Sequence, residues 1–218
     1  MRKLKVSTFL TLDGVMQAPG GPEEDRSGGF EHGGWSVGYW DDKMGEVMGA
    51  FMGKPFDLLL GRKTYEIFAA HWPHSTEPGA DVLNSARKHV ASRTLKSVDW
   101  NNSTLIKGDV AKYVGDLKKS NGPEIQVHGS GDLIQTLLRN DLVDEFNLWT
   151  FPVLLGSGKR LFADGAIPAG LKVTNVTTSS TGVVITTYER AGEIKYGSFA
   201  LPEPSEAEQD RRQRVGTA

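Results

Sequence analysis

The chain has 218 residues, enough for one domain with a substantial core, and its net charge of −2 gives no electrostatic basis for binding nucleic acid or an anionic membrane. It has no cysteine, which excludes disulfides, thiolate zinc sites and a cysteine nucleophile and favours a cytoplasmic location. No apolar run is long enough to span a bilayer, and residues 1–5 lack the apolar core of a signal peptide.

The chain begins with a predicted strand at residues 6–10, followed by a turn at Asp13 and Gly14. Residues 19–40 then form a long glycine-rich segment, and loops of this length in a compact domain are usually functional or disordered. The second half of the segment carries aromatic residues that disfavour disorder: Phe30, Trp35, Tyr39 and Trp40. We expect a partly ordered lid over the substrate.

A helix is predicted at residues 41–53, with Asp41 as its N-cap and a stripe of apolar side chains at helical spacing. The inward stripe has no carboxylate beyond the first turn. Asp41 and Asp42 could therefore reach a pocket only from the start of the helix, and capping is the favoured role for Asp41.

A buried strand at residues 57–60 is broken by Gly61 and followed by a predicted helix at residues 62–70. The free backbone N–H groups and the dipole at such a helix start form an anion site, most often for phosphate. Arg62 and Thr64 add a guanidinium and a hydroxyl at the same end. An ordinary strand–helix junction with a solvated arginine is the alternative.

Two later strands end in residues of a similar kind. Residues 88–94 predict a strand that ends at Ser92 and Arg93, and a surface loop is expected before it at residues 74–84. Another strand begins at residue 124 and leads into a Gly129-Ser130-Gly131 turn. This turn is not a full dinucleotide fingerprint, since Ile134 stands where the third glycine belongs, but it favours close approach of the backbone to a pyrophosphate. A tight turn that caps the next helix is the alternative.

The last third of the chain is rich in predicted strands, at residues 144–151, 171–177 and 182–190, with a further edge at residues 194–201. Lys159 and Arg160 lie in a loop that does not match the phosphate-loop pattern. The alternatives for these two residues are binding of a substrate phosphate, contact with an acidic surface of a partner chain, and plain solvation. Residues 202–218 are charged and poor in apolar residues, which predicts a mobile tail.

Helices alternate with strands up to residue 139, so we predict a three-layer α/β fold with a mainly parallel sheet and an antiparallel C-terminal edge.

In their order along the chain, five motifs resemble the dihydrofolate reductase superfamily. The branch that is most similar contains the reductase domain of the bifunctional riboflavin-biosynthesis deaminase-reductase. The motifs are Leu12-Asp13-Gly14, Gly61-Arg62-Lys63-Thr64-Tyr65-Glu66, Ser92-Arg93, Gly129-Ser130-Gly131 and the run from Pro152 to Phe162. The resemblance implies a dihydrofolate reductase-like domain at residues 1–190, with residues 191–218 as a C-terminal extension, and a homodimer. The sequence adds an apolar edge near residues 183–188 that a second copy would cover. It also implies that NADPH lies across the strand ends.

The resemblance and the motifs together assign the site residues. The expected cofactor-binding residues are Gly61, Arg62, Lys63, Thr64, Ser92, Arg93, Gly129, Ser130, Gly131, Asp132 and Leu133. The expected substrate-binding residues are Asp13, Gly14, Trp35 and Trp40. The candidate proton donors are Asp41, Asp42, His32 and water, and no metal is expected.

The implied chemistry is hydride transfer from NADPH to a C=N or C=O carbon of a small heterocyclic or ribosylamino substrate. The pyrimidine intermediate of riboflavin synthesis, or a relative of it, is the favoured substrate. Dihydrofolate is disfavoured because members that reduce it carry a pocket carboxylate on the first helix. A sensor or scaffold that binds the cofactor without turnover is an alternative of another class.

Overall fold

Eight strands form one sheet in the computed structural model, which describes residues 1–162, 167–200 and 202–215. The strands are β1 (Leu4–Thr11), β2 (Phe56–Gly61), β3 (Arg87–Ala91), β4 (Ser103–Ile106), β5 (Glu124–Val127), β6 (Glu145–Phe151), β7 (Leu171–Thr178) and β8 (Val184–Arg190). The helices are α1 (Asp42–Met52), α2 (Arg62–His71), α3 (Ala80–Ser85), α4 (Val110–Lys119), α5 (Gly131–Arg139) and α6 (Glu206–Val215). Short 3-10 turns occur at Ser27–Gly29, Val37–Tyr39 and Trp72–His74.

The strand order is β4-β3-β2-β5-β1-β6-β8-β7. The six strands from β4 to β6 are parallel, and β8 and β7 continue the sheet in antiparallel pairing. Parallel strands need crossover connections, which the helices supply. The predicted α/β class, the mainly parallel sheet and the antiparallel C-terminal edge are confirmed.

Successive side chains of a strand point to opposite faces of the sheet, so each face packs its own apolar core against helices. The fold therefore has three layers: helices, sheet and helices. On β2, Leu59 packs with α4 and α5, whereas Leu58 and Leu60 pack with α2 and α3 on the opposite face. On β6, Leu148 joins the α5 side, whereas Trp149 packs against Met44 of α1. Both faces of the central strand β2 are therefore buried, as its apolar run predicts.

The segment predicted as a surface loop at residues 74–84 is wrong in part, because it contains α3. Ala80 and Leu83 of this helix are buried, and Leu83 packs in the core beside Tyr65 and Trp100. The helix has only six residues, too few for a clear helical pattern in the sequence. Tertiary contact, not local propensity, holds it in place.

The C-terminal third differs from prediction in the position of its edge. The open edge predicted near residues 183–188 is wrong, because β8 lies between β6 and β7 and pairs with both; β7 is the edge strand. The further edge predicted at residues 194–201 is wrong for residues 194–200, which the structure shows without a strand; residue 201 lies outside the described residues.

The sequence predicts a mobile tail at residues 202–218, but the structure has α6 within it. Ser205 accepts a hydrogen bond from the Glu208 backbone N–H, and Glu208 in turn pairs with Arg211 and Arg212. The capping serine and the ion pairs one turn apart stabilise α6, although none of its described residues is buried. Residues 216–218 lie outside the described residues.

Deleting residues 202–218 is expected to change the free energy of unfolding by less than about 0.5 kcal/mol, because no described residue of α6 is buried. Thermal unfolding of the full-length and truncated proteins measures this. A melting temperature lower by many degrees after truncation would show that the tail packs against the domain.

A candidate cofactor and active site at the carboxyl edge

The five motifs of the sequence follow parallel strands, so they meet at the edge where those strands end, here called the carboxyl edge. The strand order β3-β2-β5-β1-β6 sets the order of the motifs along it. Ser92 and Arg93 come first, then Gly61 to Thr64, then the Gly129 turn, then Asp13 and Gly14, and last the 152–162 run. In open α/β sheets this edge is where ligands bind.

Gly61, Thr64 and Ser130 form a close contact, here called the Gly61 junction. The Ser130 hydroxyl oxygen lies 2.8 Å from the Gly61 backbone N–H that donates to it, and the same hydroxyl donates to Thr64 Oγ1 at 2.6 Å. A Cβ atom on Gly61 would lie 2.7 Å from Ser130 Cβ, so only glycine allows this approach. Residues that are 69 positions apart in sequence are thereby held together.

The Gly61 junction places the starts of α2 and α5 side by side. Gly129 has a φ of 125° and Ser130 a φ of 69°, a left-handed conformation that is rare for serine. Such strained residues persist where surrounding contacts hold them, often at ligand sites. Two helix N-termini with free N–H groups thus lie close together, and their combined positive partial charge suits a diphosphate.

Two arginines flank the Gly61 junction, and they differ in whether another side chain pairs with them. Arg62 pairs with Glu66 one turn along α2, at 3.1 Å. Arg93 is exposed and makes no hydrogen bond or ion pair with any residue that the structure describes. The Ser92 hydroxyl accepts backbone hydrogen bonds from Thr94 and Leu95, which orders the turn that presents Arg93.

Two further predicted cofactor residues lie in the first turn of α5. Leu133 is buried in the core between α5 and the sheet, so it offers only its backbone to a ligand. Asp132 is exposed beside it.

Asp13 and Gly14 form the predicted turn after β1, with Gly14 at a φ of 81°. The Asp13 carboxylate accepts hydrogen bonds from the Thr11 hydroxyl at 2.6 Å and the Gly156 backbone N–H at 2.8 Å. The Thr11 bond, followed by those from the 155–156 backbone, lowers the pKa of Asp13. In this structure the carboxylate holds the loop after β6 against the turn after β1.

Asp41 caps α1, as the sequence predicts. One carboxylate oxygen accepts from the Met44 backbone N–H at 2.8 Å, and the other accepts from the Ser180 N–H and hydroxyl, each at 2.7 Å. The Met44 bond is the largest cause of a lowered pKa, so Asp41 is an anion at neutral pH. This geometry favours capping over proton donation. Asp42 and His32 are exposed.

The segment at residues 19–40 is ordered across the end of β6. The Trp35 indole N–H donates to the Gln17 carbonyl at 2.7 Å, and its ring meets Phe151 edge-on. Trp40 stacks on Trp149 with ring centroids 6.1 Å apart, and remains 47% exposed. The two tryptophans predicted to contact substrate therefore lie beside the carboxyl edge.

Several residues of this edge were missed by sequence reasoning. Leu12 and Leu154 follow β1 and β6 and are 66% and 68% exposed, an unusual state for leucine next to a core. Both lie within quoted motifs, but their exposure depends on the fold. Asp25, Ser27 and the buried Gln17 join Lys63 to Lys159 through contacts that no sequence pattern indicates.

Two grooves lie elsewhere. One of about 560 Å³ runs along the opposite edge, beside Phe56, Asp57 and Pro123. The other, of about 790 Å³, lies between α2 and residues 95–101. Neither contains the Gly61 junction, so volume alone does not identify the site; the convergence of strand ends and helix starts does.

His128 precedes the Gly129 turn and lies between the rings of Phe51 and Phe56, and burial lowers its pKa to about 4. An unfolded histidine has a pKa of about 6.5, so below that pH protons favour the unfolded state. Because the ring keeps some exposure, we expect His128 to cost about 1–2 kcal/mol of stability between pH 7 and pH 5.

Urea unfolding at both pH values measures this loss. The His128→Gln variant should lose less stability on acidification than the wild type, and His74→Gln, at an exposed position, should behave as the wild type does. Equal losses in wild type and His128→Gln would contradict the assignment.

Comparison with known proteins gives the family. A family model described as the RibD C-terminal domain matches residues 2–185, so the chain belongs to that family. YyaP of Bacillus subtilis strain 168, an uncharacterised protein, is 31% identical over 196 residues, which cover 88% of this chain and 96% of YyaP. YwjB of the same organism, also uncharacterised, is 30% identical over 105 residues, 48% of this chain and 57% of YwjB.

Solved structures agree with this assignment. A protein of Shewanella sp. PV-4, provisionally described as a riboflavin biosynthesis protein, is 25% identical with a TM-score of 0.66, and the match covers 86% of this chain and 98% of that one. A dihydrofolate reductase of Enterococcus faecalis complexed with NADP(H) is 12% identical with a TM-score of 0.54, covering 87% and 96%, and shows the fold alone. The predicted superfamily and fold are confirmed, and the family supports an oxidoreductase.

Within the ranges 1–162, 167–200 and 202–215, no helix is long and apolar enough to cross a bilayer. Across the same described residues, no three histidine or carboxylate side chains come together as metal ligands.

Proposed function

We propose that the protein is an NADPH-dependent reductase that transfers a hydride to a small heterocyclic or ribosylamino substrate, of the 5-amino-6-(5-phosphoribosylamino)uracil reductase type. The Gly61 junction is the observation that carries this proposal, because it joins two helix starts into one anion site at the carboxyl edge. The Shewanella protein provisionally assigned to riboflavin biosynthesis and a pyrimidine reductase-like protein of Corynebacterium diphtheriae share the fold.

The residues present fit NADPH. Gly61 lets the starts of α2 and α5 lie side by side, so that the N–H groups of both first turns are available to a diphosphate. Arg93 offers a guanidinium without a protein partner among the described residues. NADPH supplies the hydride when bound; the protein supplies orientation and a site with little water. Leu12, Leu154 and the exposed part of Trp40 give apolar surface for a flat heterocycle at the ends of β1 and β6.

Dihydrofolate is the less favoured substrate. The inward residues of α1 include Met44, Val47 and Met48, whereas Glu46 is exposed and pairs with Lys43. A pterin-binding carboxylate is therefore missing from the inner face of α1, as the sequence predicts. A sensor that binds NADPH without turnover is the alternative of another class.

A turnover screen tests the proposal by following loss of NADPH absorbance with the ribosylaminopyrimidine, dihydrofolate, and simple imines and carbonyls. Oxidation with the ribosylaminopyrimidine is expected to be the fastest. The Gly61→Ala variant should lose most NADPH binding, since its Cβ atom would force the Gly61 junction apart. Gly115→Ala is the matched control, because nothing lies within 4 Å of a Cβ there. Tight binding without oxidation of any candidate would favour a sensor.

We also propose that two copies pair through the outer face of β7 and β8. A bulge between Val173 and Asn175 brings Val173 and Val176 to one face, where they are 54% and 56% exposed. An apolar edge strand of this kind needs cover. Light scattering should give the mass of a dimer, and Val173→Asp should give a monomer. A monomer mass for the wild type at micromolar concentration would contradict this.

A further inference from the structure

Two lysines from different strand ends meet at the tip of the 19–40 segment. Lys159 Nζ lies 2.5 Å from Asp25 Oδ2 and 2.8 Å from Ser27 Oγ. Lys63 Nζ lies 2.9 Å from the same Ser27 oxygen and 3.4 Å from Asp25 Oδ1. These four residues, here called the Asp25 cluster, close the segment over the start of α2.

The charges of the Asp25 cluster do not balance. Two ammonium groups surround one carboxylate, which leaves one positive charge in excess. Lys63 also lies in the first turn of α2, where the positive end of the helix dipole disfavours a cation. Burial raises the pKa of Asp25, but the hydrogen bonds from Lys159 and Ser27 outweigh it and hold the pKa far below its usual value, so the group is an anion. A phosphate dianion would satisfy both lysines better than one carboxylate does.

The Asp25 cluster adjoins the Gly61 junction in the chain. Lys63 is the residue before Thr64, whose hydroxyl oxygen accepts the hydrogen bond from Ser130. A phosphate group held by the two lysines would thus lie beside the paired helix starts. Lys159 gains a role here that the sequence leaves open.

Gln17 holds the backbone of the tip that carries Asp25. Buried Gln17 donates to the carbonyls of Asp25 and Ser27 and accepts from the Lys159 N–H. Beyond this anchor, Gly28 and Gly29 are exposed and both have a φ of 74°, a conformation natural only to glycine. Withdrawal of the tip would break the two Gln17 hydrogen bonds to Asp25 and Ser27 and use rotation at these glycines, while the buried Phe30 keeps the following residues in place.

We infer that Lys63 and Lys159 form a phosphate-binding site for which Asp25 is the internal stand-in, and that a phosphate-bearing ligand displaces Asp25 and the segment tip. Where the phosphate belongs to NADPH, the inference rests on the proposed function. Where it belongs to a phosphorylated substrate, the same two ammonium groups bind it. The chemistry that both sources share is an anionic phosphate group.

Trypsin reports the displacement directly, because Arg26 is exposed at the tip. Inorganic pyrophosphate and ribose 5-phosphate represent the two sources, and sodium chloride at equal ionic strength is the control for screening. The phosphate that binds, here called the effective phosphate, should speed cleavage after Arg26. Mass spectrometry of the fragments measures the rate of this cleavage. The Asp25→Asn variant should be cleaved rapidly without any phosphate.

Calorimetry completes the test. Asp25→Asn should bind the effective phosphate about tenfold more tightly, since one charge-assisted competitor is gone, and Lys159→Gln should bind it about tenfold more weakly. Glu31→Gln is the matched control, with the same charge change at an exposed position of the same segment. If Asp25→Asn binds neither phosphate more tightly than Glu31→Gln does, the inference is overturned.

The outcomes separate this inference from the proposed function. Displacement by ribose 5-phosphate or pyrophosphate without binding of NADPH would retain the phosphate site and reject the cofactor. NADPH binding that is equal in wild type, Asp25→Asn and Lys159→Gln would retain the cofactor and reject the phosphate site.

Discussion

Replacing Arg93 with alanine is expected to weaken NADPH binding about ten- to a hundredfold and to leave NADH binding almost unchanged. The two cofactors differ by the adenosine 2′-phosphate, and on the proposed function we expect that phosphate to bind near Arg62 and Arg93. A guanidinium offers two parallel donors to a phosphate, and Arg93 gives up no protein partner among the described residues when it binds one. The free energy of the new contact between Arg93 and the phosphate is therefore not reduced by the loss of an existing ion pair.

Arg62→Ala should cost less than Arg93→Ala. Arg62 pairs with Glu66 in the structure. When Arg62 binds a phosphate, this ion pair is lost or weakened, so the net gain from the phosphate contact is smaller. Glu66→Gln should consequently strengthen NADPH binding slightly. The double variant of both arginines should lose most discrimination between the cofactors, and the effect should shrink with added salt.

Calorimetry with both cofactors measures these changes. Arg87→Ala is the matched control, because Arg87 is an exposed arginine at the opposite end of the same strand, β3. Equal losses for NADH and NADPH would place Arg93 on the shared diphosphate or in the fold itself. Such a result would remove the basis for naming NADPH.

Local patterns in the sequence were enough to predict the elements around the site. The apolar run of β2, the break at Gly61 and the start of α2 follow from residue type alone, and so does the capping of α1 by Asp41. Parallel strands then require that the motifs share one edge, whatever the strand order. This is why the expected cofactor residues converge although no single motif is specific.

Contacts between distant residues were beyond the reach of those patterns. The Ser130 hydroxyl meets Gly61 only because β5 is placed beside β2, and Asp25 meets Lys159 across 134 positions. The position of β8 inside the sheet also depends on nonlocal pairing. α3 exists because Leu83 is buried by neighbours, which its short sequence does not reveal.

The largest expected loss of stability comes from Asp57→Ala, which should lower the free energy of unfolding by about 3–5 kcal/mol. Asp57 Oδ2 lies 2.5 Å from Arg2 Nη2, and the two side chains are only 6% and 4% exposed. Removal of the carboxylate leaves a buried guanidinium without its counter-ion, although Arg2 Nε still donates to the Pro123 carbonyl. The cost is therefore that of an uncompensated buried charge, which exceeds the value of any surface pair.

His89 connects this ion pair to α4. Its Nε2 lies 3.4 Å from Asp57 Oδ2, and its Nδ1 lies 2.9 Å from the Tyr113 hydroxyl. Burial lowers the pKa of His89, and the Asp57 carboxylate opposes that shift. Without Asp57, the pKa of His89 should fall further, so the Asp57→Ala variant should lose additional stability as the pH falls below about 6.5, where an unfolded histidine binds a proton.

Urea unfolding at pH 7 tests the size of the effect. Asp116→Ala is the control, since it breaks an exposed pair with Lys112 and should cost less than about 1 kcal/mol. The double variant Arg2→Met with Asp57→Leu should recover most of the lost stability, because apolar side chains of similar volume remove both charges together. A loss below about 1 kcal/mol for Asp57→Ala would show that water or another group compensates Arg2. No recovery in the double variant would show that the loss does not come from the unpaired charge.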